Sequence, residues 1–159
     1  MKARLDWTTA APASWQALGA LQGVVNQCGL EAPLLELVKM RASQLNGCAW
    51  CLDMHSKDAR AAGETEQRLY LLSAWREAEH LYTARERAAL RWTEAVTRLA
   101  DDGVPDAVFE QARGQFSETE LTHLTLAIIA INGWNRMNVA FRLPAGDYRP
   151  GMFKRAAAG

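Results

Sequence analysis

The stretch from Leu121 to Phe141 is apolar on nearly every side, with Leu124, Ile128, Ile129 and Ile131 among its members. It follows Ser117-Glu118-Thr119-Glu120, the pattern of a capping box that opens a helix. A helix of this kind has no polar face to show to water, so it must be central or lie in a subunit interface. It nevertheless carries Asn132, Asn135 and Arg136, and polar groups in such a place require partners. The remaining chain therefore has to wrap this helix and supply those partners.

The other segments have the same periodicity. From Pro12 to Cys28 the residues Trp15, Leu18, Leu21, Val25 and Cys28 recur at three and four, with Gly29 just beyond, which predicts an amphipathic helix. Pro33 opens a second, with Leu34, Leu35, Leu37, Val38, Ala42 and Leu45 on a wide apolar face, ending at Asn46-Gly47. A third runs from Cys48 through Leu52, His55 and Ala59 to Ala62, with Gly63 as its C-terminal cap. Thr65 caps a helix through Leu69, Leu72 and Trp75, and Thr83-Ala84-Arg85-Glu86 is a capping box for one through Leu90, Ala95 and Leu99. A short helix from Asp106 to Arg113 precedes the apolar one. The end, from Leu143-Pro144 onward, is irregular, and Ala156 to Gly159 is expected to fray. No segment alternates apolar and polar residues as a half-buried strand does. The expectation is an all-α bundle of about six to seven helices, in a single domain over residues 1–159 with its core at about 12–142.

Charge excludes some functions. Eighteen Lys and Arg balance eighteen Asp and Glu, and no basic run breaks the balance, so nucleic acid is not an expected partner. No apolar run reaches membrane-spanning length, and the first residues lack the apolar core of a signal peptide, so the chain is expected to be soluble and cytoplasmic. In a reducing compartment three cysteines do not make a disulfide framework. Cys28 is expected to be a small core residue, and Cys48 with Cys51 to form a transient, chemical disulfide.

Those two thiols belong to Asn46-Gly47-Cys48-Ala49-Trp50-Cys51-Leu52-Asp53-Met54-His55, which gathers most of the reactive side chains of the chain. On a helix, spacings of three and four put Cys48, Cys51 and His55 along one stripe. Unpaired N–H groups of a first turn and a neighbouring imidazole both favour thiolate, the form that attacks. Two cysteines at this spacing can also close into a disulfide, so a sulfenic acid on one is captured by the other before it is over-oxidised. Upstream, Glu36 stands in an otherwise apolar helix joined to the next by a tight turn. It either folds back toward the thiols as a proton acceptor or pairs with Lys39 on the helix face.

Glu36, eleven intervening residues, Cys48-Ala49-Trp50-Cys51 and three more to His55 together resemble the signature of the AhpD-like alkylhydroperoxidases, in the carboxymuconolactone decarboxylase superfamily. The likeness is detailed from Leu34 to Arg60. Asn132-Gly133-Trp134-Asn135-Arg136 also resembles the last long helix of a subgroup. The resemblance implies an AhpD-like helical bundle assembled as a homo-oligomer, a trimer or a hexamer. It implies that Cys51 is the peroxidatic thiol, Cys48 the resolving thiol, and His55 with Glu36 the proton relay. The substrate it implies is an alkyl hydroperoxide. A dithiol reductant, a lipoyl-bearing or thioredoxin-like protein, would come from outside, because the chain has no flavin, haem or nicotinamide motif. One departure matters: AhpD itself has a second histidine just before the second cysteine, where this chain has Trp50, which cannot carry a proton.

Other readings of the same residues are weaker. Structural zinc usually has a second C-x-x-C or an H-x-x-x-H, and neither follows, although Cys48, Cys51, His55 and Glu36 number four ligands. Haem attachment needs His where Leu52 stands, and a thioredoxin scaffold needs βαβ order. Neither cofactor nor metal is expected. His80 and His123 have no titratable partner nearby in sequence and are expected at the surface or in packing, and Trp134 in packing. The function expected is a thiol-dependent peroxidase in antioxidant defence. The alternative is a helical oligomer that senses redox state, or binds a partner, through the same dithiol with little turnover.

Overall fold

The computed structural model describes residues Lys2 to Phe153, and the fraying expected at Ala156 to Gly159 lies outside them. Among the described residues there are helices and no strand: α1 (Trp7–Ala10), α2 (Pro12–Asn26), α3 (Ala32–Asn46), α4 (Ala49–Ala61), α5 (Glu66–Leu71), α6 (Ala84–Thr97), α7 (Asp106–Arg113) and α8 (Glu118–Phe141). Each expected helix is present. Both capping boxes form, Thr83 with Glu86 and Ser117 with Glu120, and Thr65 accepts the Arg68 N–H at the start of α5.

Three differences from the sequence expectation have physical causes. The single turn α1 is additional, and Asp6 caps it by accepting from the Thr8 and Thr9 N–H groups. The helix through Trp75 stops at Leu71 and continues as 3-10 turns at Leu72–Ala74 and Glu79–Leu81. Leu72, Trp75, Ala78 and Tyr82 are all buried, and spacings near three align on one side of the tighter winding. Finally, α2 is mostly exposed: Val25 is its one fully buried residue, while Trp15 is 38% exposed.

α3 and α8 form the axis. α3 packs against α4, α6 and α8, and α8 also meets α2 and α6. The main core joins Leu34, Leu35 and Val38 of α3 to Ala88, Ala89 and Trp92 of α6 and Leu124, Ala127 and Ile128 of α8, with Cys28 packed half-buried at its edge. A second cluster lies under the 3-10 turns, around Leu37, Leu72, Trp75 and Tyr82. The central position expected of α8 is seen, though Ile129 and Val139 remain exposed. No helix among the described residues is long and apolar enough to cross a membrane.

Candidate active site

The turn between α3 and α4 builds the site. Gly47 takes a left-handed conformation (φ 64°), and the Gly47 and Cys48 N–H groups donate back to the Gln44 and Ser43 carbonyls at 3.3 and 3.0 Å. That reversal lays α4 antiparallel along α3 and leaves Cys48 as the N-cap, its backbone extended at φ −86° and ψ 94°. Cys51 lies in the first turn and His55 one turn on. All three face inward: Cys48 and Cys51 are each 1% exposed and His55 6%. The sulfurs share a small cluster with Ala42 and Ile131, on which Trp50 and Trp134 pack.

Glu36 folds back onto α4, where it meets His55 rather than the thiols, and it also pairs with Lys39 on its own helix. One carboxylate oxygen lies 2.9 Å from His55 Nδ1, and the other accepts from Lys39 Nζ at 2.8 Å. Burial alone would push this carboxyl up, but the hydrogen bonds and charges of His55 and Lys39 outweigh it and hold its pKa at about 2. Glu36 is therefore ionised, and it fixes the imidazole with Nε2 as the nitrogen free to exchange a proton. Among the described residues His55 bonds Glu36 and neither sulfur. Glu36 also borders a cavity of about 210 Å³ lined by Pro33, Ala62, Gly63 and Arg68, at the far end of the α3–α4 seam from the thiols.

The two thiols share a proton unequally. The Cys51 S–H, directed at Cys48, lowers the Cys48 pKa to about 7 against the opposing effect of burial, with help from the Asn135 amide and the free N–H groups of the first turn. Cys51 is pushed up, first by giving that hydrogen bond, then by burial and by the Cys48 thiolate charge. At neutral pH the pair is therefore partly ionised, with the charge favoured on Cys48 and the proton retained by Cys51.

Sequence reasoning did not find Asn138. It is 5% exposed on α8 and donates its amide to Cys51 Sγ at 3.4 Å. The signal that points to it is its place one turn after Asn135 on an apolar helix. Asn132 and Asn135 have the partners they need: the Asn46 amide donates to both, at 2.8 and 2.9 Å, Asn132 donates to Thr97, and Asn135 donates to Ser43. This network ties α8 to the turn that carries the cysteines. Arg136 is exposed, and its guanidinium donates to Asn132. His80 is exposed and His123 half-buried. Among the described residues no three His, Cys, Asp or Glu side chains converge to hold a metal ion.

Residues 8–95 match the model of the carboxymuconolactone decarboxylase family, a span that contains Glu36, Cys48, Cys51 and His55. The uncharacterized protein YdfG of Bacillus subtilis (strain 168) is 39% identical over 140 residues, 88% of this chain and 95% of that protein. A crystal structure from Agrobacterium tumefaciens, of a protein of unknown function suggested to be the antioxidant defence protein AhpD, superposes with a TM-score of 0.88. It is 45% identical over 92% of this chain and 100% of that one. The debrominase Bmp8 shares the fold at a TM-score of 0.76 and 19% identity, over 88% of this chain and 75% of its own. The chain belongs to the carboxymuconolactone decarboxylase family and is AhpD-like within it.

Proposed function

We propose that this protein is a dithiol peroxidase that reduces organic hydroperoxides through a Cys48–Cys51 disulfide. The fold alone does not choose the reaction, since it also carries a debrominase. The observation that supports the choice is the proton-sharing thiol pair one helical turn from an imidazole oriented by an ionised carboxylate. Cys51, as thiolate, attacks the terminal oxygen of R–O–OH. An S–O bond forms, the O–O bond breaks, and the alcohol leaves with a proton relayed from His55, leaving Cys51 sulfenic acid. Cys48 thiolate then attacks the Cys51 sulfur, the S–S bond forms, and water departs with a second proton. Two electrons have passed from the sulfurs to the peroxide. An external dithiol, of lipoyl or thioredoxin type, returns them and leaves as its own disulfide. Asn138 holds Cys51 toward this chemistry, and His55 with Glu36 moves the proton.

The reading includes a homo-oligomer, a trimer or hexamer, in which Ile129 and Val139 are covered, and a reducing, cytoplasmic setting that keeps the thiols available. The second reading, a redox sensor with little turnover, is favoured by the burial of both sulfurs. Consumption of an organic hydroperoxide with dihydrolipoamide, by the wild type and by Cys48→Ser and Cys51→Ser, separates them. Turnover lost in both variants supports the peroxidase. Retained turnover in Cys51→Ser rejects the nucleophile, and a wild type that oxidises once without turning over is the sensor.

A further inference from the structure

Six aromatic rings form a continuous chain over the thiols. Trp7, Trp15 and Trp134 meet one another with centroids 5.1 to 6.0 Å apart, and Phe153 joins Trp15 at 6.4 Å to Trp50 at 6.0 Å and Tyr148 at 5.9 Å. Trp50 and Trp134 are the members that pack directly on the cluster holding Cys48 and Cys51. With both sulfurs 1% exposed, a substrate arriving on this side has to part those rings.

The last described residues carry two of these rings, Tyr148 and Phe153. Lys57 donates to the Gly146 and Tyr148 carbonyls at 3.0 Å, Asp53 accepts from the Gly146 N–H at 3.1 Å, and Tyr148 donates its hydroxyl to Asp58 at 2.9 Å. These bonds pin the segment along the outer face of α4. Among the described residues they stop at Tyr148, so Phe153 is held by ring contacts. It is 48% exposed although it sits between two other rings, and Trp15 beside it is 38% exposed. In the same cluster Trp7 Nε1 is buried and has no hydrogen-bond partner among the described residues. A core ring would be covered, whereas Phe153 and Trp15 are half-open and reach the reactive pair through Trp50 and Trp134.

We propose that Phe153 occupies the place of the substrate's organic group: the dithiol takes hydroperoxides bearing an aryl or bulky alkyl group, which stacks between Trp15 and Trp50 as the Phe153 ring moves out. Hydrogen peroxide, having no such group, gains nothing from these rings. The proposal rests on the peroxidase reading for its chemistry and on the ring geometry for its selectivity.

The test uses the full chain and two variants, Phe153→Ala and Trp15→Ala, with cumene hydroperoxide and hydrogen peroxide as substrates and dihydrolipoamide as reductant. Binding of 2-phenyl-2-propanol, which cannot be reduced, is followed in parallel by tryptophan fluorescence. Loss of one aromatic stacking partner predicts a fall in kcat/KM of about three- to tenfold for cumene hydroperoxide in Trp15→Ala, with hydrogen peroxide unchanged. Phe153→Ala lowers the KM for cumene hydroperoxide and tightens alcohol binding, again without effect on hydrogen peroxide. If neither peroxide turns over but the alcohol binds, more tightly to Phe153→Ala, the peroxidase reading fails and the apolar site stands. Equal losses for both peroxides, or alcohol binding that is absent or indifferent to both substitutions, overturns the proposal.

Discussion

Replacing Glu36 by Gln removes the charge that His55 and Lys39 share while keeping the shape of the side chain. In the folded protein this carboxyl has a pKa of about 2, against 4.5 for its ordinary value. That difference corresponds to about 3 kcal/mol of stability at neutral pH. Its sign follows from the depressed pKa: the contribution is complete above the unfolded value of 4.5 and disappears as pH falls through about 2. At pH 3 about 2 kcal/mol of it is already gone. Urea unfolding of the wild type and Glu36→Gln at pH 7 and pH 3 measures the effect, because the other acids titrate alike in both. The variant is expected to be less stable by about 3 kcal/mol at pH 7, with that gap shrinking by about 2 kcal/mol at pH 3. A gap that stays the same at the two pH values refutes the ion-pair account and makes the loss one of packing.

Three other outcomes are expected. In Cys51→Ala the thiol that lowers Cys48 is absent, so the Cys48 thiolate absorbance in the ultraviolet rises with a midpoint above the value of about 7 expected for Cys48 in the intact pair; an unmoved midpoint means that the backbone N–H groups, not Cys51, set it. A sulfenic-acid trap such as dimedone labels Cys51 in Cys48→Ser after one equivalent of hydroperoxide and leaves Cys51→Ser unlabelled; the reverse pattern exchanges the two roles. Ser117→Ala loses the bond from the Glu120 N–H at the head of α8 and lowers stability by about 1 kcal/mol in thermal unfolding, with peroxide turnover per folded molecule unchanged.

The parts of the site that were legible in the sequence are those set by local geometry. Helical spacing places Cys48, Cys51 and His55 on one stripe, and the Asn46-Gly47 turn folds Glu36 back to His55, because both depend on residues close in sequence. The polar residues of α8 announce a need for partners, but Asn46, Ser43 and Thr97 can be named only once α3, α6 and α8 are packed. Asn138 resembles any polar residue near a helix end until Cys51 is found beside it. The docking of Gly146 to Tyr148 on Lys57 has no local signature at all, since the partners lie about ninety residues apart. Trp15 misleads for a similar reason: its helical register points to burial, and it stays half-exposed against rings brought from distant parts of the chain, Trp134 and Phe153.

The unequal sharing of the proton bears on the order of attack. A low pKa alone would make Cys48 the peroxidatic thiol, yet in the proposed cycle the resolving step needs a thiolate just as much. In the proposed cycle the lowered Cys48 pKa favours ionisation of the thiol that meets the Cys51 sulfenic acid. The low pKa also makes Cys48 the better leaving group when an external dithiol attacks the Cys51 side of the disulfide. Cys51 meanwhile has the Asn138 amide on its sulfur and stands one turn before His55, to which the proposed cycle passes its proton, so that Cys48 stays ionised for the second step. Both halves of the proposed cycle then use the asymmetry in the same direction. Trp50 bears on the same route, because an indole cannot take the proton, which leaves His55 to accept it from Cys51 in that cycle.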